Sequence, residues 1–322
     1  MIAVSQGVDD EGYLLSTIAP TCLRCLAAML LCFISVSETL AAEPRKVVLL
    51  LSEQHVAYQH FRQAFEQNLP ADVQLEVRTL AQQADIPKAD ILVTAGSRAA
   101  QWAADQWHGA MLAAMLPSRN FKQMQSGKAL PHPLSALFMD QPLPRQVALI
   151  RAALPSLKRV GVLYTPGGDF VSQPLQQELA RQGASLASRA VESEDSLAIK
   201  LEEMLTQSDI LLAVPDSRIY NSSTIRNILL GSYRRGIPVI GLSAAYVSAG
   251  ALCAVYSTPE QQSAQAAGMV SEFLHRGSLP SPRFPQLYQI ALNAEVARSM
   301  RLTIRSVDAL RIEIDRVEGK LE

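Results

Sequence analysis

The chain has 322 residues, of which 48% are hydrophobic and 18% are charged, an ordinary composition for a globular protein. Its 29 lysine and arginine residues against 30 aspartate and glutamate residues give a formal net charge of -1, and no basic stripe with interleaved aromatics occurs. Both observations argue against nucleic acid, and against an anionic membrane surface, as a binding partner.

The first segment with a distinct character is an apolar run near the N-terminus. Residues 25–36 read CLAAMLLCFISV, follow Arg24 and precede the small residues of SETLAAE. This order is typical of a secretory signal peptide, and the run is short for a bilayer span. We therefore predict a signal peptide over residues 1–41, cut after Ala41 or Ala42, and a periplasmic mature protein. An uncleaved membrane anchor is the alternative. Only Cys253 then remains in the mature chain, which predicts no internal disulfide.

Strands and helices alternate through the first half of the mature chain. Apolar runs predict strands at 46–52, 73–80, 89–97, 110–116 and 135–140. Apolar positions at helical spacing predict helices over 57–69 and from Ser97 onward. The segment between Leu116 and the last of these strands contains Pro117, Pro131 and Pro133 and is predicted to be a loop.

The second half repeats this alternation. Strands are predicted at 158–166, 185–193, 209–217 and 237–244, with helices over 143–157, 171–183, 196–207 and 222–236. Apolar strands separated by amphipathic helices are typical of parallel sheets covered on both faces. The sequence therefore predicts an α/β fold with two doubly wound parallel-sheet lobes and a cleft between them. In such sheets ligands bind at the carboxyl ends of the strands.

Five segments in the second half, taken in order, resemble one protein family. They are VGVLYTP, DILLAVPDS, GIPVIGLSAAYVSAGALCAVYS, FLHRGSLPSPRFP and LYQIALNAEVARSMRL. Together they resemble the periplasmic substrate-binding components of ABC transporters, in the group that includes tryptophan- and tyrosine-binding lipoproteins. The resemblance covers about residues 46 to 304 and implies the type I periplasmic-binding fold, with two lobes joined by three crossovers.

That fold implies a division of the chain into lobes. The first lobe comprises residues 42–141 and 257–278, and the second comprises 142–256 and 279–304. By the resemblance, the helix at 259–277 returns to the first lobe and the segment 287–293 returns to the second. Residues 305–322 are left as a C-terminal tail.

The resemblance also implies a carboxylate site at the start of the helix in GSRAA (96–100). Backbone N–H groups at Gly96, Ser97 and Arg98 face a ligand carboxylate there, because a helix N-terminus favours anions. Ser97 is the expected N-cap of this helix. The family's motifs are altered nearby, since LPSRNF (116–121) stands where a Thr-Asp-Pro turn is usual. The identity of the ligand is therefore left open.

The remaining candidate site residues come from the second half. Tyr164 and Thr165 occupy the turn after the first strand of the second lobe, and Ser243 follows another strand. Asp216 matches an acidic position suited to a ligand ammonium, although a turn or capping role is the alternative. If Asp216 binds the ligand, Asp216→Asn should weaken binding with little effect on folding stability.

These features together predict an exported solute-binding component of an ABC-type import system. Its partners would be a small, amino-acid-like molecule and an ABC permease in the inner membrane, and it would be a monomer without a cofactor. The chain lacks GxSxG, HExxH and Walker-type motifs, so we do not predict an enzyme. The alternative is an exported accessory or sensory protein that binds a partner protein without feeding a permease.

Overall fold

Two sheets with helices between their strands form the part of the chain that the computed structural model describes, residues 44–82, 86–126, 133–167 and 172–320. The strands are β1 (Arg45–Leu51), β2 (Val73–Thr79), β3 (Ile91–Ala95), β4 (Ala110–Leu116), β5 (Leu134–Phe138), β6 (Arg159–Tyr164), β7 (Ser185–Ala190), β8 (Ile210–Leu212), β9 (Val239–Gly241), β10 (Cys253–Tyr256) and β11 (Gln289–Leu292). The helices are α1 (Val56–Asn68), α2 (Ser97–Gln106), α3 (Ser118–Gln125), α4 (Leu143–Ala153), α5 (Ser172–Arg181), α6 (Glu194–Gln207), α7 (Ile225–Arg234), α8 (Ala244–Ser248), α9 (Pro259–Arg276), α10 (Ala294–Ser299) and α11 (Val307–Val317). The predicted signal peptide lies outside the described residues.

The two sheets have the same strand order at their centres. The first runs β2-β1-β3-β4-β5, and the second runs β7-β6-β8-β9-β10-β11. Every neighbouring pair is parallel except β10 and β11, which are antiparallel. The predicted α/β class, with two doubly wound sheets, is confirmed. The antiparallel edge strand is the one departure from a purely parallel arrangement.

The apolar runs of β1, β3, β4 and β5 arise because these strands are covered on both faces, whereas β2 contributes to one core only. Along β1, Val47, Leu49 and Leu51 pack toward α1 and α9, whereas Val48 and Leu50 pack toward α2. Successive strand residues point to opposite faces, so two cores require five apolar residues in a row.

A single large core fills the second lobe and includes the C-terminal helix. Leu310 and Ile314 of α11 are fully buried in it, and α11 packs against α4. Ser306 caps this helix by accepting a hydrogen bond from the Ala309 N–H. Residues 305–322, which the sequence left outside both lobes, therefore include an element of the second lobe. Its spacing of two apolar residues four apart is the signal for a packed helix.

Three connections between the lobes lie side by side. The first follows β5, the second joins β10 to α9, and the third runs from α9 to β11. The Gln141 side-chain amide donates to the Ser257 hydroxyl at 3.0 Å, and that hydroxyl donates to the Leu287 carbonyl. Helix α9 packs against α1 in the first lobe, whereas β11 pairs with β10 in the second. Hydrogen bonds thus link all three connections, and we call the region around Gln141, Ser257 and Leu287 the hinge.

Helix α3 occupies part of the segment predicted to be a loop. Its cap comes from a distant residue, because the Asp140 carboxylate accepts from both the N–H and the hydroxyl of Ser118. Pro117 supplies no side-chain cap, and Phe121 packs into the first lobe. A helix of eight residues with a cap 22 positions away leaves little local signal in the sequence, which explains the error.

Candidate functional site

A cleft of about 660 Å³ lies between the two lobes. Its walls come from loops at the carboxyl ends of β1, β3, β4 and β5 on one side and of β8 and β9 on the other. The walls include Glu53, Tyr58, Ser97, Arg98, Arg119 and Asn120 from the first lobe, and Asp216, Arg218, Tyr220, Leu242, Ser243 and Tyr246 from the second. This is the edge of both sheets at which open α/β folds bind ligands.

The predicted site residues fall into two groups. Four of them line this cleft: Ser97, Arg98, Asp216 and Ser243. Tyr164 lines a smaller neighbouring chamber, Thr165 is buried behind Asp216, and Gly96 lies behind Ser97. The structure adds Arg119, Arg218 and Glu53, three charged residues that are not among the predicted site residues.

A backbone irregularity in β4 also borders the cleft. The pairing of β4 with β5 shifts register between Ala113 and Leu116, and Met115 adopts a positive φ of 50°. Met115 lines the cleft. Bulges and left-handed non-glycine residues are enriched beside functional sites, because the strain must be held in place by the surrounding structure.

The start of α2 is built differently from the prediction. Gly96, with φ 95° and ψ 163°, is the N-cap, and Ser97 is the first residue of the helix. The expectation that Ser97 is the cap is therefore wrong. The Ser52 hydroxyl, from the end of β1, accepts from the Ala99 N–H at 3.0 Å and does the capping. The Ser97 hydroxyl instead accepts from the Asn120 side-chain amide at 2.8 Å.

Replacing Gly96 should disturb this corner of the cleft more than replacing a comparable glycine. A Cβ at Gly96 would collide with the Tyr58 hydroxyl and lie 2.6 Å from Ser52 Oγ, and its φ is in the region that side chains disfavour. We expect Gly96→Ala to lower the free energy of unfolding by about 2–3 kcal/mol. Gly250 is the control, because its φ is 121° and a Cβ added there would have no neighbouring atom within 4 Å. Equal losses for the two alanine variants, measured by urea unfolding, would show that steric contact at Gly96 is unimportant.

Asp216 lies at the boundary between the lobes, and its carboxylate accepts four hydrogen bonds from the protein. The residue is only 5% exposed. One carboxylate oxygen accepts from the Thr165 N–H at 2.9 Å, from the Thr165 hydroxyl at 2.6 Å and from the Arg119 guanidinium. The other accepts from the Arg218 N–H at 3.2 Å. Four donors of the protein therefore contact this carboxylate, three of them on the same oxygen.

Arg119 reaches across from α3 of the first lobe to make this contact. It is 8% exposed and also donates from its second terminal nitrogen to the Thr165 hydroxyl at 2.8 Å. Its Nε donor is buried and has no acceptor within the described part of the chain. The sequence reasoning missed Arg119 because it lies in the segment predicted to be a loop. The one available signal was its position in LPSRNF, where the family's usual turn is replaced.

These contacts hold the pKa of Asp216 below its ordinary value. Burial alone raises the pKa, but hydrogen bonds from Thr165 and Arg119 together outweigh it. The folded protein therefore binds fewer protons here than the unfolded chain, so this carboxylate contributes stability above pH ~4 that is lost as the pH falls toward its lower folded pKa.

We expect acid to weaken the folded state partly through this residue. The free energy of unfolding of the wild type should fall as the pH drops below about 4, and it should fall less steeply in Asp216→Asn. Urea unfolding at a series of pH values measures both slopes. Parallel slopes would mean that Asp216 has the same pKa in both states.

The cleft carries an excess of positive charge. Arg98 pairs loosely with Glu53 at 3.7 Å, and Arg119 pairs with Asp216. Arg218 is exposed, and its guanidinium donates to the Thr165 hydroxyl. No carboxylate of the described residues forms an ion pair with Arg218. Among the charged residues of the described chain that line the cleft, three arginines therefore face two carboxylates.

A second cavity, of about 100 Å³, adjoins the cleft on the side of the hinge. Its lining is mainly apolar and comes from both lobes: Leu143, Val162, Leu175, Leu212 and Val214 from the second, with Pro117 of the first and Phe284, which packs against the core of the first. It shares Pro117, Arg119 and Pro215 with the cleft. Asp140 borders it, and burial raises the pKa of this carboxyl although Ser118 donates two hydrogen bonds to it. We call this cavity the apolar chamber.

The part of the chain that the structure describes shows no metal site, no membrane-spanning helix and no reactive thiol. No group of three His, Cys, Asp or Glu side chains there could hold a metal ion. No helix there is long and apolar enough to cross a membrane. Cys253 is buried in the second core, and burial raises the pKa of its thiol to about 12, so the thiolate does not form near neutral pH.

The comparison with protein families decides the identity. Residues 137–308 match the model of the ABC transporter substrate binding protein family, which is more than half of the chain. The chain belongs to this family. The predicted resemblance is confirmed. Proteins of this family bind small ligands outside the cytoplasm and deliver them to an ABC permease. They are in general not enzymes.

Solved structures show the same fold for this substrate-binding protein. A conserved domain protein from Vibrio cholerae is 19% identical with a TM-score of 0.62, covering 84% of this chain and 98% of its own. An ABC domain from Streptococcus pneumoniae, solved in complex with L-Trp, is 17% identical with a TM-score of 0.63, covering 83% and 97%. A substrate-binding protein with adhesive properties from Clostridium difficile, in a ligand-free, open structure, is 15% identical with a TM-score of 0.60, covering 81% and 96%. No protein of curated function matches the chain in sequence.

Proposed function

We propose that the mature chain is the exported solute-binding component of an ABC-type import system and holds one small molecule between its lobes. The observation that carries this proposal is the cleft of about 660 Å³, which both lobes line with strand ends. Its volume is within the range of roughly 300–1,000 Å³ that is usual for small-molecule sites. The ABC domain from Streptococcus pneumoniae in complex with L-Trp has the same fold, which adds support for a ligand of amino-acid size.

Within the cleft we assign different roles to the predicted residues. Ser97, Arg98 and Ser243 contact the ligand, since each lines the open part of the cleft. Asp216 orients Arg119 and Thr165 and does not itself bind a ligand ammonium, because its carboxylate already accepts from four donors of the protein. Gly96 and Tyr164 act through the shape of the walls behind these residues.

Export is the second part of the proposal. A signal peptide over residues 1–41 would release a periplasmic species that begins near Ala42, and the inner-membrane permease would receive its ligand there. N-terminal sequencing of the periplasmic fraction should find this start. Recovery in the membrane fraction with Arg24 still attached would favour the uncleaved anchor.

Ligand binding without turnover is the testable core of the proposal. Thermal unfolding of the mature chain with amino acids, organic acids, sugars and nucleosides should identify at least one stabilising class. A ligand at about 100 times its Kd stabilises the folded state by about 2.7 kcal/mol. The compound should be recovered unchanged afterwards. A panel without any response, together with a neighbouring gene for a sensor kinase or outer-membrane receptor, would favour the accessory or sensory role.

A further inference from the structure

Two arginines, Arg119 and Arg218, lie at the boundary of the lobes. Arg119 is more than nine-tenths buried, lines both cavities, and has an Nε donor without an acceptor in the described part of the chain. Arg218 donates to the same Thr165 hydroxyl as Arg119, so the two guanidinium groups converge on one atom. A buried donor without a partner is costly, and an anionic oxygen is its strongest acceptor.

The apolar chamber lies next to Arg119. The apolar chamber of about 100 Å³ shares Arg119, Pro117 and Pro215 with the cleft. Its walls belong to both lobes, so movement of the lobes at the hinge would open the chamber to the cleft. An apolar cavity of roughly 150 Å³ holds a benzene molecule, so this chamber suits a short aliphatic arm.

The charged side chains of the cleft disfavour a cationic ligand. Of the two described carboxylates that line the cleft, Asp216 already accepts from four protein donors and Glu53 lies beside Arg98. Among the described residues of the cleft, three arginines against these two carboxylates leave one positive charge for the ligand to neutralise. Among the described groups of the cleft, a single negative charge on the ligand is therefore favoured over a positive one.

On the basis of the proposed function, we propose that the ligand is a small organic acid with an apolar arm. Its carboxylate lies between Arg119 and Arg218, and its arm of a few carbons fills the apolar chamber. This assignment differs from a zwitterionic ligand held by the start of α2 and by Asp216, because both charge contacts now come from arginines and the ligand amino group contributes nothing.

Matched ligands test this assignment directly. We expect calorimetric titration to give 4-methylpentanoate an affinity at least equal to that of leucine, and to give 3-methylbutylamine no binding. Across straight-chain acids from acetate to hexanoate, affinity should rise about fourfold for each added methylene until the chamber is full. Tighter binding of leucine than of 4-methylpentanoate, or binding of the amine, would overturn the proposal.

Variants test which residues take the two parts of the ligand. Arg218→Gln should weaken 4-methylpentanoate about tenfold to a hundredfold. Arg226→Gln is the matched control, because Arg226 is an exposed arginine of the same lobe outside the cleft, and it should change nothing. Val214→Leu, which adds one methylene to the chamber wall, should weaken hexanoate but not butyrate. Equal effects of the two arginine variants, or of Val214→Leu on both acids, would contradict the proposal.

The class of compound that stabilises the protein distinguishes this inference from the proposed function. Stabilisation by sugars or nucleosides without any response to organic acids would overturn the inference and leave the solute-binding function standing. The absence of any stabilising compound would overturn both.

Discussion

Asp216→Asn should lower the free energy of unfolding by about 3–5 kcal/mol at neutral pH. The side chain of Asp216 is 3% exposed and accepts from Thr165 and Arg218 of its own lobe as well as from Arg119, so removal of its charge weakens a buried network, most of which persists when the lobes separate. An asparagine would also turn an amide nitrogen or a weaker acceptor toward the Thr165 N–H, which now donates to a carboxylate. Urea unfolding followed by circular dichroism measures this loss. From the sequence alone, the same substitution is expected to affect ligand binding and hardly to affect stability.

Asp209 provides the matched control for this substitution. It also pairs with an arginine in the second lobe, but that arginine, Arg159, has a side chain that is 55% exposed. Exposed pairs contribute about 0–1 kcal/mol, so Asp209→Asn should cost much less than Asp216→Asn. Losses of equal size would show that the burial of the Arg119–Asp216 pair has no special weight.

Arg119→Met should open the lobes rather than unfold them. The second lobe keeps three donors of its own to Asp216, two from Thr165 and one from Arg218, so the loss falls mainly on the contact between lobes. A charge-assisted hydrogen bond contributes about 1.5–3 kcal/mol. The ratio of closed to open molecules should therefore fall about tenfold to a hundredfold.

Distances between spin labels report this opening. Cysteines at Glu66 on α1 and Arg226 on α7 are exposed positions in different lobes, and the native Cys253 is buried away from the label. Arg119→Met should shift the distance distribution of the ligand-free protein, and Arg119→Lys, which keeps the charge but not both hydrogen bonds, should shift it less. Identical distributions in all three proteins would show that the Arg119–Asp216 contact does not hold the lobes together.

The sheets could be predicted because their cause is local to the sequence. Runs such as KVVLLL in β1 are apolar at nearly every position since both faces of each sheet are covered, and this pattern is visible without any partner. The antiparallel β11 and the packed α11 were harder. The direction of β11 depends on where the third connection returns the chain, and in α11 only Leu310 and Ile314 are buried, which leaves a weak signal in the sequence.

The cleft could be predicted in position but not in its charges. Strand ends gave Ser97, Arg98, Asp216 and Ser243, because parallel sheets gather these ends at one edge. The partner of Asp216 could not be found in this way. Arg119 lies 97 residues away, on a helix whose cap, Asp140, lies in the turn after β5. The contact depends on how the two lobes meet, which no local pattern in the sequence records.

A cleft-blocking variant tests the central claim, that a small molecule binds between the lobes. Ser243 lines the cleft and makes no capping hydrogen bond to α8, so Ser243→Trp fills the site without removing a contact of the fold. Calorimetric titration of a stabilising compound should give one site per chain in the wild type and no measurable binding in this variant, while both proteins unfold at similar urea concentrations. Equal affinity in the two proteins would place the ligand outside the cleft and contradict the claim.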